Sequence, residues 1–290
     1  MYCYNCAVVS KTNKRKNNED NFLINSVFAP PEHGDQMHEA EGNLSERLIA
    51  AVADGMGGEE AGEVASFAAM EALNKQLEDV SRSSDTDSKL LCNAIEKAQE
   101  GIRGHIDSEP NHLGMGSTIV AAVFFGNQVY YTGMGDSRIY LMRRGKLTLL
   151  TKDHTEGQML IDSGIMSKEM ADKHPGSNRL TRFLGMYAED MLFEVPPCCD
   201  LRIREGDTFL LCSDGVSAVL DHNELSELLL KEKGVKSTAE KIVDAALKKG
   251  GTDNTTALVI RIGARGNSLL KRLCMGMRRL GRGKIADLLR

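Results

Sequence analysis

Tryptophan is absent, aromatic residues make up only 5% of the 290-residue chain, and methionine occurs 14 times. Aliphatic and methionine side chains, adaptable in shape, must therefore fill the core. No apolar run approaches the eighteen or so residues that a membrane-spanning helix needs. The N-terminal stretch MYCYNCAVVSKTNKRK also lacks the basic-then-apolar order of a secretory signal, so the expected compartment is the cytoplasm. The seven cysteines form an odd set without framework spacing, which fits a reducing environment rather than a disulfide scaffold. Cys3 and Cys6 make a CxxC, but no second pair with suitable spacing completes a zinc site, so they read as an incidental pair on the first strand. Nor does any Gly-x-Ser-x-Gly elbow surround Ser117, Ser137 or Ser213, which argues against serine nucleophile chemistry.

An excess of basic charge is missing too, the net charge being −5, but the charge is unevenly divided. Residues 263–290 carry eight Lys or Arg against the single acid Asp287, net +7, which leaves −12 on the preceding 262 residues. An acidic body argues against nucleic acid as the main ligand, because phosphate backbones demand a positive surface. The tail places Leu or Met at positions 269, 270, 273, 277 and 280 with arginines between them, near helical spacing. Such a segment suits a membrane surface or a partner protein, although Gly276, Gly281 and Gly283 weaken it as a helix.

Four aspartates sit at the ends of apolar runs. Asp54 precedes Gly55 in LIAAVADGMGG, Asp136 follows Gly135 in YYTGMGDSR, Asp214 precedes Gly215 in TFLLCSDG, and Asp253 opens GGTDNTTALVIRI. One Asp-Gly pair is a turn. Four far apart in sequence, none with a local lysine or arginine alternating beside it, imply that buried strands deliver carboxylates to one rim. Crowded carboxylates repel and need cations. Hard oxygen ligands suit Mg²⁺ or Mn²⁺ rather than zinc, which draws in histidine or cysteine.

Strand-like runs are expected at 21–28, 47–53, 118–125, 128–132, 137–143, 146–150, 201–203, 207–212 and 255–262. Helical periodicity covers 60–80, 88–106, 222–233 and 238–249. Tight turns at 125–128 and Arg144-Gly145 join neighbouring strands, so the sheets should be antiparallel with helices outside them. Residues 29–45 read as a long hairpin connection. Residues 153–185 read as a mostly helical flap beside the site, interrupted at Pro175-Gly176.

The segments KNNEDNFLI, VADGMGGEEAGEVAS, GMGSTIVAAVF, GMGDSRIYLMRRGKL, KDHT, NRLTRFLG, LLCSDGV and GGTDNTTALVI occur in the order found in the PPM or PP2C family of metal-dependent serine/threonine protein phosphatases, in their bacterial form. The chain resembles that family over about residues 7–262. The resemblance implies an α+β fold, an α-β-β-α sandwich of two antiparallel sheets flanked by helices, with 1–262 as the phosphatase domain and 263–290 as a separate tail. It implies a monomer that removes phosphate from serine or threonine in proteins, opposing protein kinases, with two Mn²⁺ or Mg²⁺ ions and a weaker third. Two such ions can share and activate a water for in-line attack.

By the same resemblance Asp54 bridges both ions, the Gly55 carbonyl ligates one, and Asp214 and Asp253 ligate the other. Asp136 with Asp214 resembles the pair that holds the third ion. Glu19 and Asp20 would hold metal-bound waters, and Arg15, four residues before Glu19, would grip the substrate phosphate. A guanidinium takes two phosphate oxygens at once, which lysine cannot. Met56 stands where animal relatives have a histidine, and Glu59 where many bacterial ones do, so no general acid is named. His154 and His174 qualify only if the flap folds inwards. Arg138 is expected to support the Asp136 loop by pairing with an acid, and Cys212 to be packed. The competing reading is a pseudophosphatase, a binding or scaffold module, which would normally lose a metal aspartate. A regulator with a dedicated phosphoprotein substrate would carry a sensor domain, for which there is no room.

Overall fold

A computed structural model describes residues 2–57, 61–78, 87–171, 173–187 and 194–264. The basic tail from Arg265 onward, Glu59 and Asp172 of the flap lie outside the described residues.

The strands are β1 (Tyr2–Lys11), β2 (Asp20–Ile24), β3 (Val27–Phe28), β4 (Gln36–Asn43), β5 (Leu48–Met56), β6 (Gly116–Ser117), β7 (Ile119–Phe125), β8 (Gln128–Met134), β9 (Arg138–Arg143), β10 (Lys146–Leu149), β11 (Cys199–Arg202), β12 (Thr208–Cys212) and β13 (Thr255–Ala264). The α-helices are α1 (Gly62–Glu78), α2 (Asp87–Ser108), α3 (Glu156–Asp162), α4 (Lys168–Ala171), α5 (Asp214–Ser217), α6 (His222–Lys231) and α7 (Val235–Lys248). One sheet runs β10-β9-β12-β13-β1-β4 and the other β11-β8-β7-β5-β2-β3, with β6 paired to β5. The pairings are antiparallel throughout.

Period-two side-chain alternation builds the layers. In β5, Leu48, Ala50 and Val52 enter the core between the sheets, whereas Ile49, Ala51 and Ala53 face α1 and α2. In β13, Leu258, Ile260 and Ile262 share that central core, while Ala257 and Val259 pack with α6 and α7. Both strands are apolar on both faces because each is covered twice. Three apolar interfaces make four layers, helix, sheet, sheet, helix. The helices meet the sheets along i, i+4 stripes, as in α2 with Leu91, Ile95, Ile102 and Ile106 buried. A capping box between Asp221 and Glu224 starts α6. Arg144 and Gly145, both at positive φ (52° and 79°), make the two-residue turn between β9 and β10.

Three expectations change. Residues 29–45 contain β4, which pairs with β1 from Cys3 to Ser10. Its sequence, QMHEAEGN, is polar because it is an edge strand, half-buried at alternate positions. The 21–28 run divides into β2 and β3 around Asn25, at φ 53°. The flap carries only the short α3 and α4 within turns; the bridge between Thr155 and Leu180 closes it on itself, and the bridge between Ser117 and Leu184 fastens it to the body. Among the described residues no helix is long and apolar enough to cross a membrane.

Candidate metal centre

Four strand ends converge. Asp54 lies near the end of β5, Asp136 just after β8, Asp214 just after β12 and Asp253 just before β13, so each sheet delivers two carboxylates to the same rim. All four line one cavity of about 450 Å³, together with Arg15, Glu19, Gly55 and Met56. Gly55 is required by close approach: a Cβ there would run into the Gly62 carbonyl and come within 2.8 Å of the Glu19 carbonyl, to which Gly55 donates its own N–H at 3.0 Å.

Asp20 sits elsewhere. It is opposite Asp54 in the β2–β5 register and fully buried behind the cavity. Its Oδ2 accepts from the hydroxyls of Ser213 and Thr256, both at 2.7 Å, while its Oδ1 has no partner. Oδ1 of Asp214 is likewise buried and unpartnered.

Desolvation and mutual repulsion hold protons on this cluster. Asp54 is raised well above the usual carboxylate range by desolvation, then by Asp20, Asp214, Asp136 and Asp253. Burial and then Asp214 push Asp136 up to about 7. Burial takes Asp20 to about 7 against its two hydroxyl donors. Asp214 is raised by burial and by Asp253, partly offset by a hydrogen bond with Asp54. Glu19 is raised by burial and then by Glu63. A set of oxygen ligands with orphaned buried atoms, whose mutual repulsion the guanidiniums of Arg15 and Arg179 in the wall do not relieve at Asp54, fits hard divalent cations. Among the described residues no three His, Cys, Asp or Glu side chains already close on one point. Asp253 is turned away to Arg15, whose guanidinium donates to its Oδ2 at 2.8 Å. Water, which Mg²⁺ in particular retains, would complete an ion's shell.

Several neighbours lay in quoted motifs without a role attached. Asn254 ties the loops together: its Oδ1 accepts from Glu19 N, and its Nδ2 donates to the carbonyls of Thr12 and Asn17, all at 2.9 Å. Asn178, Arg179, Leu180 and Phe183 bring the flap segment NRLTRF into the cavity wall. Arg138 grips Asp153 with bonds of 2.6–3.2 Å, as the acid pairing expected of it. His154 is spent on structure, its Nδ1 accepting from Gly135 N at 3.2 Å, and it does not line the cavity; His174 is exposed. The hydroxyls of Ser117, Ser137 and Ser213 bond to Asp54 O, Thr118 Oγ1 and Asp20 respectively, as supports. Cys212 is buried, its thiol pushed up to about 12 by desolvation.

A model of the protein phosphatase 2C family matches residues 34–250, including Asp54, Asp136 and Asp214. The chain belongs to the protein phosphatase 2C family. The serine/threonine protein phosphatase PstP of Mycobacterium tuberculosis is 40% identical over 215 residues, covering 73% of this chain and 40% of PstP. This chain thus spans well under half the length of that relative. The serine/threonine phosphatase stp of Listeria monocytogenes is 35% identical over 222 residues, 75% of this chain and 86% of stp. In structure, the catalytic domain of PstP in complex with two manganese ions superposes with a TM-score of 0.73 at 31% identity, over 91% of this chain and all of that domain. That coverage extends the family match beyond the limits of residues 34–250.

Proposed function

We propose that this chain is a metal-dependent protein phosphatase that hydrolyses phosphoserine and phosphothreonine in proteins. The observation that carries the reading is the convergence of Asp54, Asp136, Asp214 and Asp253 from both sheets on one cavity, with their charge largely uncompensated. The two manganese ions of the PstP complex support it.

Asp54, the Gly55 carbonyl, Asp214 and Asp253 would hold two Mn²⁺ or Mg²⁺ ions, and Asp136 with Asp214 a weaker third. Bound there, the ions supply charge for the phosphoryl oxygens and activate water for in-line attack. Arg15 grips the phosphate once it exchanges Asp253 for the substrate. Glu19, on the cavity wall, and Asp20, behind it with its Oδ1 unpartnered, would orient water. Every carboxylate of the set is present, which favours an enzyme over a scaffold module.

The substrates are proteins phosphorylated by serine/threonine kinases, and the chain acts as a monomer in the cytoplasm, where its cysteines stay reduced. Residues 1–262 form the catalytic domain, and the basic segment 263–290 meets an anionic membrane surface or a partner protein. Phosphate release from a phosphothreonine peptide, followed in Mn²⁺, in Mg²⁺ and in excess chelator, tests the reading. Release that requires the metal is expected; none in any condition from folded protein would leave the scaffold module as the better account.

A further inference from the structure

Two cysteines far apart in sequence meet on the outer side of the molecule. Cys92 lies on α2 and Cys198 just before β11, and their thiols share a hydrogen bond. Both are half-buried, so a small solute reaches them, whereas Cys6 and Cys212 are sealed in the core. Cys199, the exposed neighbour of Cys198, points the other way. It stands opposite Tyr131 in the β11–β8 pairing, on the face that borders the core between the sheets, while Cys198 packs on the apolar cluster beneath α1 and α2.

The contact belongs to a longer seam. Cys92, Gln99 and Arg103 are spaced so that they share one side of α2. Gln99 donates from Nε2 to the Met186 carbonyl at 2.8 Å and accepts from the Gly185 N–H at 2.5 Å. The Arg103 guanidinium lies 5.2 Å from the centroid of the Tyr187 ring. Just upstream, Leu184 exchanges backbone hydrogen bonds with Ser117, and Asn178, Arg179, Leu180 and Phe183 line the metal cavity. One side of α2 thus holds the chain as it leaves the catalytic wall, and through Cys92 holds it again where it enters β11. Among these holds only the cysteine pair can become covalent.

We propose that Cys92 and Cys198 are a site of reversible oxidation, closing to a disulfide that staples the chain leaving the flap to α2. The oxidant is a peroxide. Hydrogen peroxide takes two electrons from the thiol pair: the S–S bond forms, the O–O bond breaks, and the two thiol protons leave with the oxygens as two waters. A thiol reductant reverses the step by exchange. Burial, and then Cys92, pushes the Cys198 thiol up to about 12, so its thiolate is scarce and the bond closes slowly. The pair therefore rests reduced in a reducing compartment and closes only under sustained oxidation.

The test is to expose the full chain to hydrogen peroxide and digest it with trypsin without reduction. The expected product joins residues 90–97 to residues 183–202, two hydrogens lighter than the separate peptides apart from oxygen taken up by methionine, and dithiothreitol cleaves it. Cys199→Ser, at an exposed position, should keep the link and so place it at Cys198, while Cys92→Ser and Cys198→Ser should each lose it. Because the bond closes a loop of about a hundred residues, the oxidised wild type should melt roughly 5–10 °C above the reduced protein, a rise that Cys92→Ser should lack. Absence of the linked product overturns the site, and so does a link that disappears in Cys199→Ser or survives in Cys198→Ser. An unchanged Tm in protein shown to carry the link would overturn the staple.

Discussion

The guanidinium of Arg15 donates to the carboxylate of Asp253 at 2.8 Å, joining the residue that would hold phosphate to one that would hold metal. Both are partly exposed, 52% and 39% for their side chains, so the pair itself contributes little stability, about 0–1 kcal/mol. Its meaning is exchange: ion and phosphate each take one partner of a pair that otherwise satisfies itself.

Arg15→Ala should therefore act in two opposite directions. Losing a bidentate charged contact should lower kcat/KM on a small aryl phosphate roughly 10- to 100-fold, with Arg15→Lys recovering little of it. The same change frees Asp253 and removes a positive charge, so Mn²⁺ should bind more tightly by calorimetry. Weaker Mn²⁺ binding in Arg15→Ala would contradict the exchange.

Asp214 carries a buried oxygen without a partner in a crowd of carboxylates. Asp214→Asn should abolish turnover of any phosphomonoester and remove the rise in Tm that Mn²⁺ gives the wild type. In chelator the variant should melt no lower than the wild type, and above pH 7 higher, because one repelling charge is gone. Substantial residual turnover would sink the metal assignment.

Stability of the metal-free protein should fall as pH rises. Asp20 and Asp136 have folded-state values near 7, above the ordinary carboxylate range near 4, so the folded state holds protons that the unfolded chain has released. That contribution is complete below the ordinary range and is lost as pH climbs through about 7. In chelator, Tm should drop between pH 5.5 and 8. Saturating Mn²⁺ should flatten this slope, since the cation then replaces the protons. A Tm in chelator that rises over this window would contradict the cluster.

Gly55→Ala should damage the fold and the site together. The added methyl meets the Gly62 and Glu19 carbonyls, and overpacking of this kind costs about 1–3 kcal/mol. A lowered urea midpoint with an unchanged m value would register the strain. Activity should fall further than stability alone accounts for, because the displaced carbonyls belong to the segments that bear the site.

The carboxylates were legible because acidic residues at the ends of apolar runs break the ordinary alternation. Apolar runs on β5, β7 and β13 revealed doubly covered strands for the same reason. β4 was not legible: the hydrogen bonds that hold it to β1 come from the backbone, and its side chains read as a loop. Nor could spacing show that Asp20 faces inward while its neighbour Glu19 lines the cavity, although strand alternation at the start of β2 permits it. Asn254 and Asn178 stood within recognised segments, but the carbonyl partners of an asparagine, or its place in a wall, become visible only when distant loops meet. Glu63 likewise stood within a recognised segment, but a glutamate in the first turn of a helix is ordinary and drew no role.

The pairing of β1 with β13 runs the whole length of both strands, from Tyr2 opposite Ala264 to Lys11 opposite Thr255. A ribosome makes the two halves of that ladder some 250 residues apart, so β1, next to the edge strand β4, waits for β13 to be made. Asp253 arrives with that late strand, and Asn254 only then fastens the loop of Arg15 and Glu19. The metal centre is thus complete only once β13 has been made, and a nascent chain released before that point carries an incomplete sheet and lacks Asp253.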